Sequence, residues 1–337
     1  MRWIYIFLII SLVFISASCQ WPGGKATIGT SFVGGNEGLN IKFAADEPPS
    51  TGVLDMGSEP FFITIELENK GEDTVLAGDA VALLSGISAW EFGFPGNILE
   101  KENQEDILSV RKDGNEILLG GKGEIRYGPV SYLEDAIADI RFNLQADVCY
   151  DYKTKAITSL CLKRDAIQIG RTRVGEACEI NSIRDIESSG APVLISNVRE
   201  TASGLNQVRF TFDITNVGAG RKGSKGEVWD MTSIGSSPPC TESLGLGNIG
   251  LVKDRIFVTV EPARGLNVMC STLGGMNSGI VRLGSDNKVT VSCVLDTSNE
   301  QPVAFESAVN IYADYAYKET ITTGILVKDA LAAQPTF

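Results

Sequence analysis

Apolar and polar side chains alternate with a period of two along much of this chain. Residues 61–71 show the alternation clearly and end in Asn-Lys-Gly. Residues 208–218 repeat the same pattern and end in Asn-Val-Gly. Such alternation, broken at short intervals by turn-forming residues, is typical of strands in an antiparallel sandwich. The pattern therefore predicts an all-β protein.

A second pair of matching segments shows that the β unit is duplicated. Tyr150 and Tyr152 align with Tyr315 and Tyr317, with apolar residues at the same alternate positions before them. We therefore predict two tandem antiparallel β-sandwich domains, residues 34–167 and 191–331, joined by a linker at 168–190. The shared parity of the tyrosines favours packing inside the sandwich over a sugar-stacking platform.

The strand ends and turns give more local expectations. Asn69 and Asn216 each stand two residues before a glycine, which predicts a left-handed backbone at these strand ends. Asp113-Gly114 predicts a hairpin turn. Lys153-Thr154-Lys155 is expected to form the turn of a second hairpin that carries Cys149 and Cys161.

The N-terminus has the order of a secretory signal. Residues 3–15 are largely apolar and follow Arg2, and small residues precede Cys19. We predict a signal peptide at 1–18, a lipid on Cys19 and a spacer at 19–33, so that the protein is anchored at the outer face of the cell membrane. An uncleaved helix running to about Trp21 and free secretion are the alternatives.

Seven cysteines occur in the chain. If Cys19 carries lipid, six are left to pair, as is usual in exported proteins. The sequence favours Cys149 with Cys161, then Cys270 with Cys293, which leaves Cys178 with Cys240. Connectivity cannot be deduced from sequence alone, and the other pairings stay open.

Several kinds of chemistry are disfavoured by composition. The chain contains no histidine, which excludes imidazole as a catalytic base or metal ligand. We predict no metal site, no cofactor and no enzymatic activity, although calcium binding by scattered carboxylates stays open. The net charge of −13 disfavours nucleic acid as a partner. The glycines of residues 245–250 fit a dinucleotide pattern but are expected to form a loop, since no βαβ unit surrounds them.

Three segments are candidates for recognition. Trp90, Phe92 and Phe94 surround Gly93 and Pro95, and they predict either an exposed binding patch or a covered end of the sandwich. The second copy is longer than the first, and its extra residues within 219–249 predict an inserted loop. Residues 20–33 are expected to be a spacer, with strand exchange between subunits as the alternative.

The chain resembles the tandem Ig-like modules of archaeal cell-surface proteins and is distantly similar to the CARDB type of adhesion module. The resemblance lies in residues 38–43, the strand end at 67–71 and the segment 148–154 followed by Cys161. It implies a β-sandwich at the cell surface with an adhesive or assembly role and no catalytic residues. In the second copy Asp314 and Leu326 replace the two cysteines of the segment.

The predicted function is therefore adhesion, envelope assembly or a structural role at the surface. Other surface proteins or glycans are the expected partners. Capture of a carbohydrate or solute is the first alternative, and a carboxylate-dependent glycoside hydrolase is the second.

Overall fold

A computed structural model describes residues 31–164, 177–218, 226–230 and 253–330. The predicted signal peptide 1–18, Cys19, spacer residues 19–30, Cys240 and residues 245–250 lie outside these ranges, so the expectations for them stay predictions. No helix within the described ranges is long and apolar enough to cross a membrane.

The described residues are built from β-strands, in agreement with the predicted all-β class. The strands of the first half are β1 (Leu39–Phe43), β2 (Val53–Leu54), β3 (Phe61–Asn69), β4 (Ala80–Ser85), β5 (Glu100–Glu102), β6 (Arg111–Asp113), β7 (Glu116–Leu118), β8 (Lys122–Val130) and β9 (Ile140–Leu162). Those of the second half are β10 (Ile183–Arg184), β11 (Ile186–Ser188), β12 (Val193–Ala202), β13 (Gln207–Asn216), β14 (Glu227–Trp229), β15 (Arg255–Pro262), β16 (Val268–Cys270), β17 (Ser278–Arg282), β18 (Lys288–Asp296) and β19 (Phe305–Lys328).

Two smaller sheets pack on one large sheet. The large sheet has the order β17-β15-β19-β9-β4-β5, and the smaller sheets have the orders β1-β3-β8 and β10-β12-β13-β18-β16. Strands β3 and β13, which carry the repeated alternation, lie at the centres of the two smaller sheets. The expected Asp-Gly hairpin is the separate pair β6-β7, with Gly114 at φ 61°.

The two halves of the chain are joined by their longest strands. Strand β9 has 23 residues, and it pairs antiparallel with β19 over its whole length, from Ile140 opposite Val327 to Leu162 opposite Phe305. The first half of β9 lies beside β4, while its second half lies beside β11. Each long strand therefore begins in the sandwich of its own repeat and ends in that of the other.

We call the sandwich under β1-β3-β8 the first sandwich and the other the second sandwich. The described residues belong to one compact unit that begins at Ser31. The last part of β19, although it belongs to the second repeat in sequence, completes the large sheet of the first sandwich beside β9. The boundaries predicted at 34–167 and 191–331 follow the repeats in sequence and stay a prediction.

The continuous path of β9 corrects one expectation about turns. No hairpin turn forms at Lys153-Thr154-Lys155, because these residues continue the strand and pair with residues 312–314 of β19. Thr154 is buried, and Lys153 forms an ion pair of 2.8 Å with Asp314. The aligned residues of the second repeat continue β19 in the same way.

The disulfides differ from the expected pairing for the same reason. Cys149 and Cys161 lie on one extended strand, roughly 40 Å apart at about 3.3 Å per residue, and cannot bond to each other. Cys161 is instead bonded to Cys178, so the predicted pairing of Cys178 with Cys240 is also wrong. Cys270 and Cys293 are bonded across β16 and β18 as predicted. Cys149 is disulfide-bonded as well.

Four tyrosines occupy the centre of the long-strand pair. Tyr152 lies opposite Tyr315, and Tyr150 lies opposite Tyr317. All four side chains are buried, and neighbouring rings have centroids 5.7 to 6.5 Å apart. They are core residues, as their parity predicted, and not a platform for sugars.

A geometry shared by the two repeats also explains the Asn-x-Gly strand ends. The Tyr152 hydroxyl donates to Asn69 Oδ1 over 3.1 Å, and the same oxygen accepts the Gly71 N–H over 3.1 Å. A Cβ at Gly71 would collide with the Tyr152 hydroxyl. The second repeat has the same arrangement in Asn216, Gly218 and Tyr317. The expected left-handed backbone is not observed at these positions; the glycines are needed because the hydroxyls approach so closely.

Candidate binding surface at the end of the first sandwich

The loop after β4 exposes only one of the three aromatic residues that were predicted to form a patch. Trp90 is 58% exposed, whereas Phe92 and Phe94 are buried. The loop is folded back on itself, since the Phe94 N–H donates to Ala89 O over 2.8 Å and the Gly93 N–H donates to Trp90 O over 3.2 Å. Of the three predicted residues, only Trp90 is available to a partner.

Phe92 and Phe94 cannot form a binding surface because they fill the core below it. The Phe92 ring packs edge-on against Tyr132 at 5.2 Å and Phe142 at 5.1 Å between centroids, and against Phe61 at 6.3 Å. Phe94 packs against Tyr127 at 6.2 Å. This aromatic cluster supports the loop from beneath and fixes the position of Trp90.

Other exposed apolar side chains lie on segments bonded to this loop. The Leu133 N–H donates to Glu91 O over 2.7 Å, and the Met56 N–H donates to Glu134 O over 3.1 Å. A Cβ at Gly93 or at Gly57 would meet the Leu133 side chain. We define the end patch as four exposed residues, Met56, Trp90, Leu133 and Ile137, which are 44%, 58%, 51% and 95% exposed.

The border of the end patch is acidic. Residues 55–59, 90–98 and 131–140 contain no lysine or arginine. Their exposed or half-exposed carboxylates are Glu59, Glu91, Glu134, Asp135 and Asp139. Burial raises the pKa of the Tyr132 hydroxyl, and the nearby carboxylates of Glu91, Glu134 and Asp55 raise it further. The end patch is thus an apolar surface with a mainly acidic border.

Asp55 holds the segments of the end patch together. Its carboxylate is buried and accepts the Ala136 N–H over 2.7 Å and the Ala330 N–H over 2.9 Å. These bonds connect the loop after β2, the segment before β9 and the end of β19. The carboxylate acts on the backbone and is not exposed to a ligand.

We expect Asp55→Asn to loosen the end patch. An amide has only one acceptor oxygen, so one buried N–H would lose its partner at a cost of about 1–2 kcal/mol in the free energy of unfolding. Chemical denaturation measures the loss, and proteolysis should first cut within residues 131–139. Unchanged stability would show that the two hydrogen bonds contribute nothing.

Two other depressions in the described part of the chain are less suited to binding. A groove of about 570 Å³ lies along the outer face of β1-β3-β8, where charges of both signs pair with each other, as in Lys42–Glu66 at 2.8 Å. A smaller cavity of about 230 Å³ is lined by Glu37 and Glu319. Ligand pockets usually measure roughly 300–1,000 Å³, so the second is small for a sugar substrate.

Metal binding gains no support from the described residues. No group of three or more acidic or cysteine side chains there is arranged to hold a metal ion. The carboxylates around the end patch are spread along its border.

The sequence missed the other residues of the end patch for a simple reason. Met56, Leu133 and Ile137 are far from Trp90 along the chain, and none belongs to an alternating segment. The signal that could have indicated them is the presence of Leu133 and Ile137 among acidic residues in 131–140, where no strand pattern accounts for them.

Comparison with known proteins gives no family. No family model matches the chain, and no curated protein matches it. One chain from a structure titled "Chaperone-tip adhesin complex is vital for synergistic activation of CFA/I fimbriae biogenesis" is 9% identical, with 87% of this chain and 82% of that chain covered. Its TM-score is 0.12, which is too low for any inference.

Proposed function

We propose that the protein is a non-enzymatic, exported surface protein that acts in adhesion, envelope assembly or as a structural subunit, and that it binds its partner through the end patch. The observation that carries this proposal is the exposure of Trp90 together with three other large apolar residues at one end of the sandwich. Exposed apolar patches bordered by polar groups mark interaction sites, and tryptophan is enriched among the residues that dominate binding energy.

The cysteines support export. Disulfides such as Cys161–Cys178 and Cys270–Cys293 persist in oxidising compartments and are rare in the cytosol. The apolar N-terminal segment ending at Cys19 accounts for export and for an anchor at the outer face of the membrane. The partners are then other surface molecules.

Replacing Trp90 by alanine tests the proposal. We expect Trp90→Ala to weaken binding of the purified chain to isolated envelopes of the producing cells by at least about tenfold. Because the side chain is largely exposed, the free energy of unfolding should change by less than about 0.5 kcal/mol. A binding isotherm and a denaturation curve measure the two quantities.

Leu119→Ala is the matched control. Leu119 is 85% exposed. It lies near Asn69, because the neighbouring Gly120 packs against Asn69 O, and it is therefore away from the end patch. Its replacement should leave envelope binding unchanged. Equal binding by the wild type and Trp90→Ala would refute the proposed role of the end patch.

Carbohydrate capture is the second candidate, since an exposed indole ring such as Trp90 can stack on a sugar. The same isotherms separate the candidates. Competition by soluble envelope glycans would favour carbohydrate capture, whereas loss of binding after protease treatment of the envelopes would favour a protein partner.

A further inference from the structure

One stretch of β19 has a neighbouring strand on one side only. On that side β19 pairs with β9 along almost its whole length. On the other side β15 pairs with residues 309–314, β14 with residues 316–318 and β2 with residues 327–328. Residues 319–325 pair with none of the described strands on this second side, and we call them the open edge.

The hydrogen bonds of β9 show which backbone groups of the open edge are free. The Lys153 N–H donates to Asp73 Oδ2 over 2.9 Å, on the side of β9 away from β19. Bonded and unbonded residues alternate in an antiparallel pair, so β9 bonds to β19 through its even-numbered residues, whose partners in β19 are odd-numbered. The N–H and C=O groups of Thr320, Thr322 and Gly324 therefore point into the open edge, and all three residues are exposed.

The open edge lacks the features that usually protect the edge of a sheet. Edge strands in natural proteins commonly carry lysine, proline or a bulge, which prevent another strand from pairing with them. The edge strands β5 and β8 contain such residues. Residues 320–325 read Thr-Ile-Thr-Thr-Gly-Ile, and threonine and isoleucine favour strands. The open edge is therefore suited to pairing with a further strand.

The other repeat shows that a strand fits at the corresponding position. The alignment of the tyrosines places residues 156–158 of β9 on residues 321–323 of β19. Strand β11 pairs antiparallel with residues 156–158, and the Ser189 N–H beyond it donates to Lys155 O over 2.8 Å. Ile186 of β11 packs against the core. The second sandwich thus already contains the strand that the first sandwich lacks.

The segment before β1 does not fill the open edge because it is held elsewhere. It corresponds to β11, since β1 and β12 pair with β3 and β13 in the same way. The Val33 and Gly34 N–H groups donate to the two carboxylate oxygens of Glu72 over 2.8 Å each. The Ser31 N–H donates to Glu187 Oε2 of β11 over 2.6 Å. These bonds hold the segment beside β11, on the β9 side of the long-strand pair.

A cavity beside the open edge indicates what kind of side chain the added strand carries. This cavity of about 230 Å³ lies between β1 and Glu319, and Glu37 also lines it. Burial raises the pKa of Glu319, and the charge of Glu37 raises it further. Lys42 lines the cavity as well, but it is paired with Glu66. The cavity has room for one long side chain, and the two carboxylates would attract a positive charge there.

We propose that the open edge binds an extended segment of a partner protein as an added antiparallel strand, with an apolar residue opposite Thr323 and a lysine or arginine opposite Ile321. The apolar residue packs on the core as Ile186 does. The basic residue is the diagonal neighbour of Glu319, within reach of a long side chain. Main-chain hydrogen bonds supply the affinity in such a complex, and the side-chain pockets supply the specificity. The open edge is separate from the end patch, so this inference goes beyond the proposed function.

A pair of synthetic peptides tests the proposal on the purified full chain. The first has the sequence of residues 183–190 with Ser188→Lys, because Ser188 lies opposite Ala156, which corresponds to Ile321. The second carries Ser188→Glu instead. In fluorescence anisotropy the lysine peptide should bind at least about tenfold more tightly than the glutamate peptide. Equal binding would overturn the basic residue of the partner, and no binding of either at up to about 1 mM would overturn strand addition.

Two variants at one position show whether the peptide binds at the open edge. Thr322→Pro removes a free N–H but no bond to β9, and proline is tolerated in an edge strand when its missing N–H would face away from the sheet. It should weaken binding of the lysine peptide at least about tenfold. Thr322→Val keeps the N–H and nearly the same shape, so it should bind like the wild type. Thermal unfolding checks that both variants are folded, and tight binding by the proline variant would show that the peptide binds elsewhere.

Hydrogen exchange distinguishes a partner protein from other occupants of the open edge. In the free chain the amides of Thr320, Thr322 and Gly324 should exchange fast, whereas those of Ile321 and Thr323 are bonded to β9 and should be slow. The lysine peptide should slow the first three. Slow exchange of these three in a dilute sample without peptide would show that the chain fills its own edge. Slowing that appears only at high protein concentration would show that a second copy fills it, and either result would overturn the assignment to a partner protein.

Discussion

Replacing Ile325 by alanine is expected to destabilise the first sandwich, although Ile325 belongs to the second repeat. Ile325 is fully buried and lies opposite Phe142, whose ring packs against Phe92 in the first core. Removing three carbon atoms from such a position costs about 2–5 kcal/mol in the free energy of unfolding. Hydrogen exchange should show faster opening of β3 and β4, which belong to the first sandwich.

Ile311 provides a matched control on the same strand. It is also fully buried, lies on the same face of β19, and pairs with Val260 of the second sandwich. Ile311→Ala should cost a similar free energy but speed exchange in β13 and β18 instead. If both variants speeded hydrogen exchange first in the second sandwich, the end of β19 would not belong to the first sandwich, and the described arrangement of the long strands would be wrong.

This exchange marks the limit of what the sequence could predict. The alternation in residues 61–71 and 208–218 correctly indicated β3 and β13, because a period of two records which face of a strand is buried. It does not record which strand lies alongside. The alternation of β9 continues through Lys153, Thr154 and Lys155, so the pattern could not show that the strand leaves one sandwich and enters the other.

The prediction of the disulfide pairing failed for a related reason. The prediction that Cys149 bonds to Cys161 required a turn between them, and two lysines with a threonine looked compatible with one. The side chains of Lys153 and Lys155 instead reach Asp314 and Asp73, at 2.8 and 3.6 Å. These carboxylates come from distant parts of the chain. Because they pair with the two lysines, the lysines can lie in the middle of a strand and need not lie at a turn.

The sequence predicted only part of the candidate site. The position of a residue on a loop can be inferred from the local sequence, whereas the burial of its side chain cannot. Gly93 and Pro95 placed Trp90 near a loop, which is a local property of the sequence. Whether a neighbouring aromatic residue is covered depends on side chains from elsewhere, and Phe92 is covered by Tyr132 and Phe142. Burial of this kind is decided by tertiary packing and has no local signal.

Glu319→Gln is expected to stabilise the protein at alkaline pH. Burial raises the pKa of Glu319 to about 7, and the charge of Glu37 adds to the rise, against the opposing effect of the hydrogen bond from the Tyr150 hydroxyl over 3.2 Å. The ordinary pKa of a glutamate side chain, which we take for the unfolded chain, is 4.5. Since the folded state holds its proton more tightly, stability is greatest below pH 4.5 and falls as the pH rises through 7.

The size of this effect follows from the two pKa values. At about 1.4 kcal/mol for each pKa unit, the full loss would reach about 3.5 kcal/mol, and partial exposure of the side chain reduces it to about 1–2 kcal/mol. Glutamine carries no charge at any pH, so the variant should gain this amount relative to the wild type at pH 8 and little at pH 4. Denaturation curves at the two pH values measure the difference.

The duplicated structure supplies the control for this variant. The position of Glu319 corresponds to that of Thr154 in the first repeat, and the Thr154 hydroxyl lies 3.0 Å from the Tyr315 hydroxyl. Glu319→Thr should therefore reproduce the arrangement of the other repeat and stabilise the protein at pH 8 as glutamine does.

Glu200, whose pKa burial also raises to about 7, leaves a pH dependence of stability that is common to all the variants. Only the difference between variant and wild type reports on Glu319, and a difference that does not change between pH 4 and pH 8 would show that its carboxyl group titrates normally.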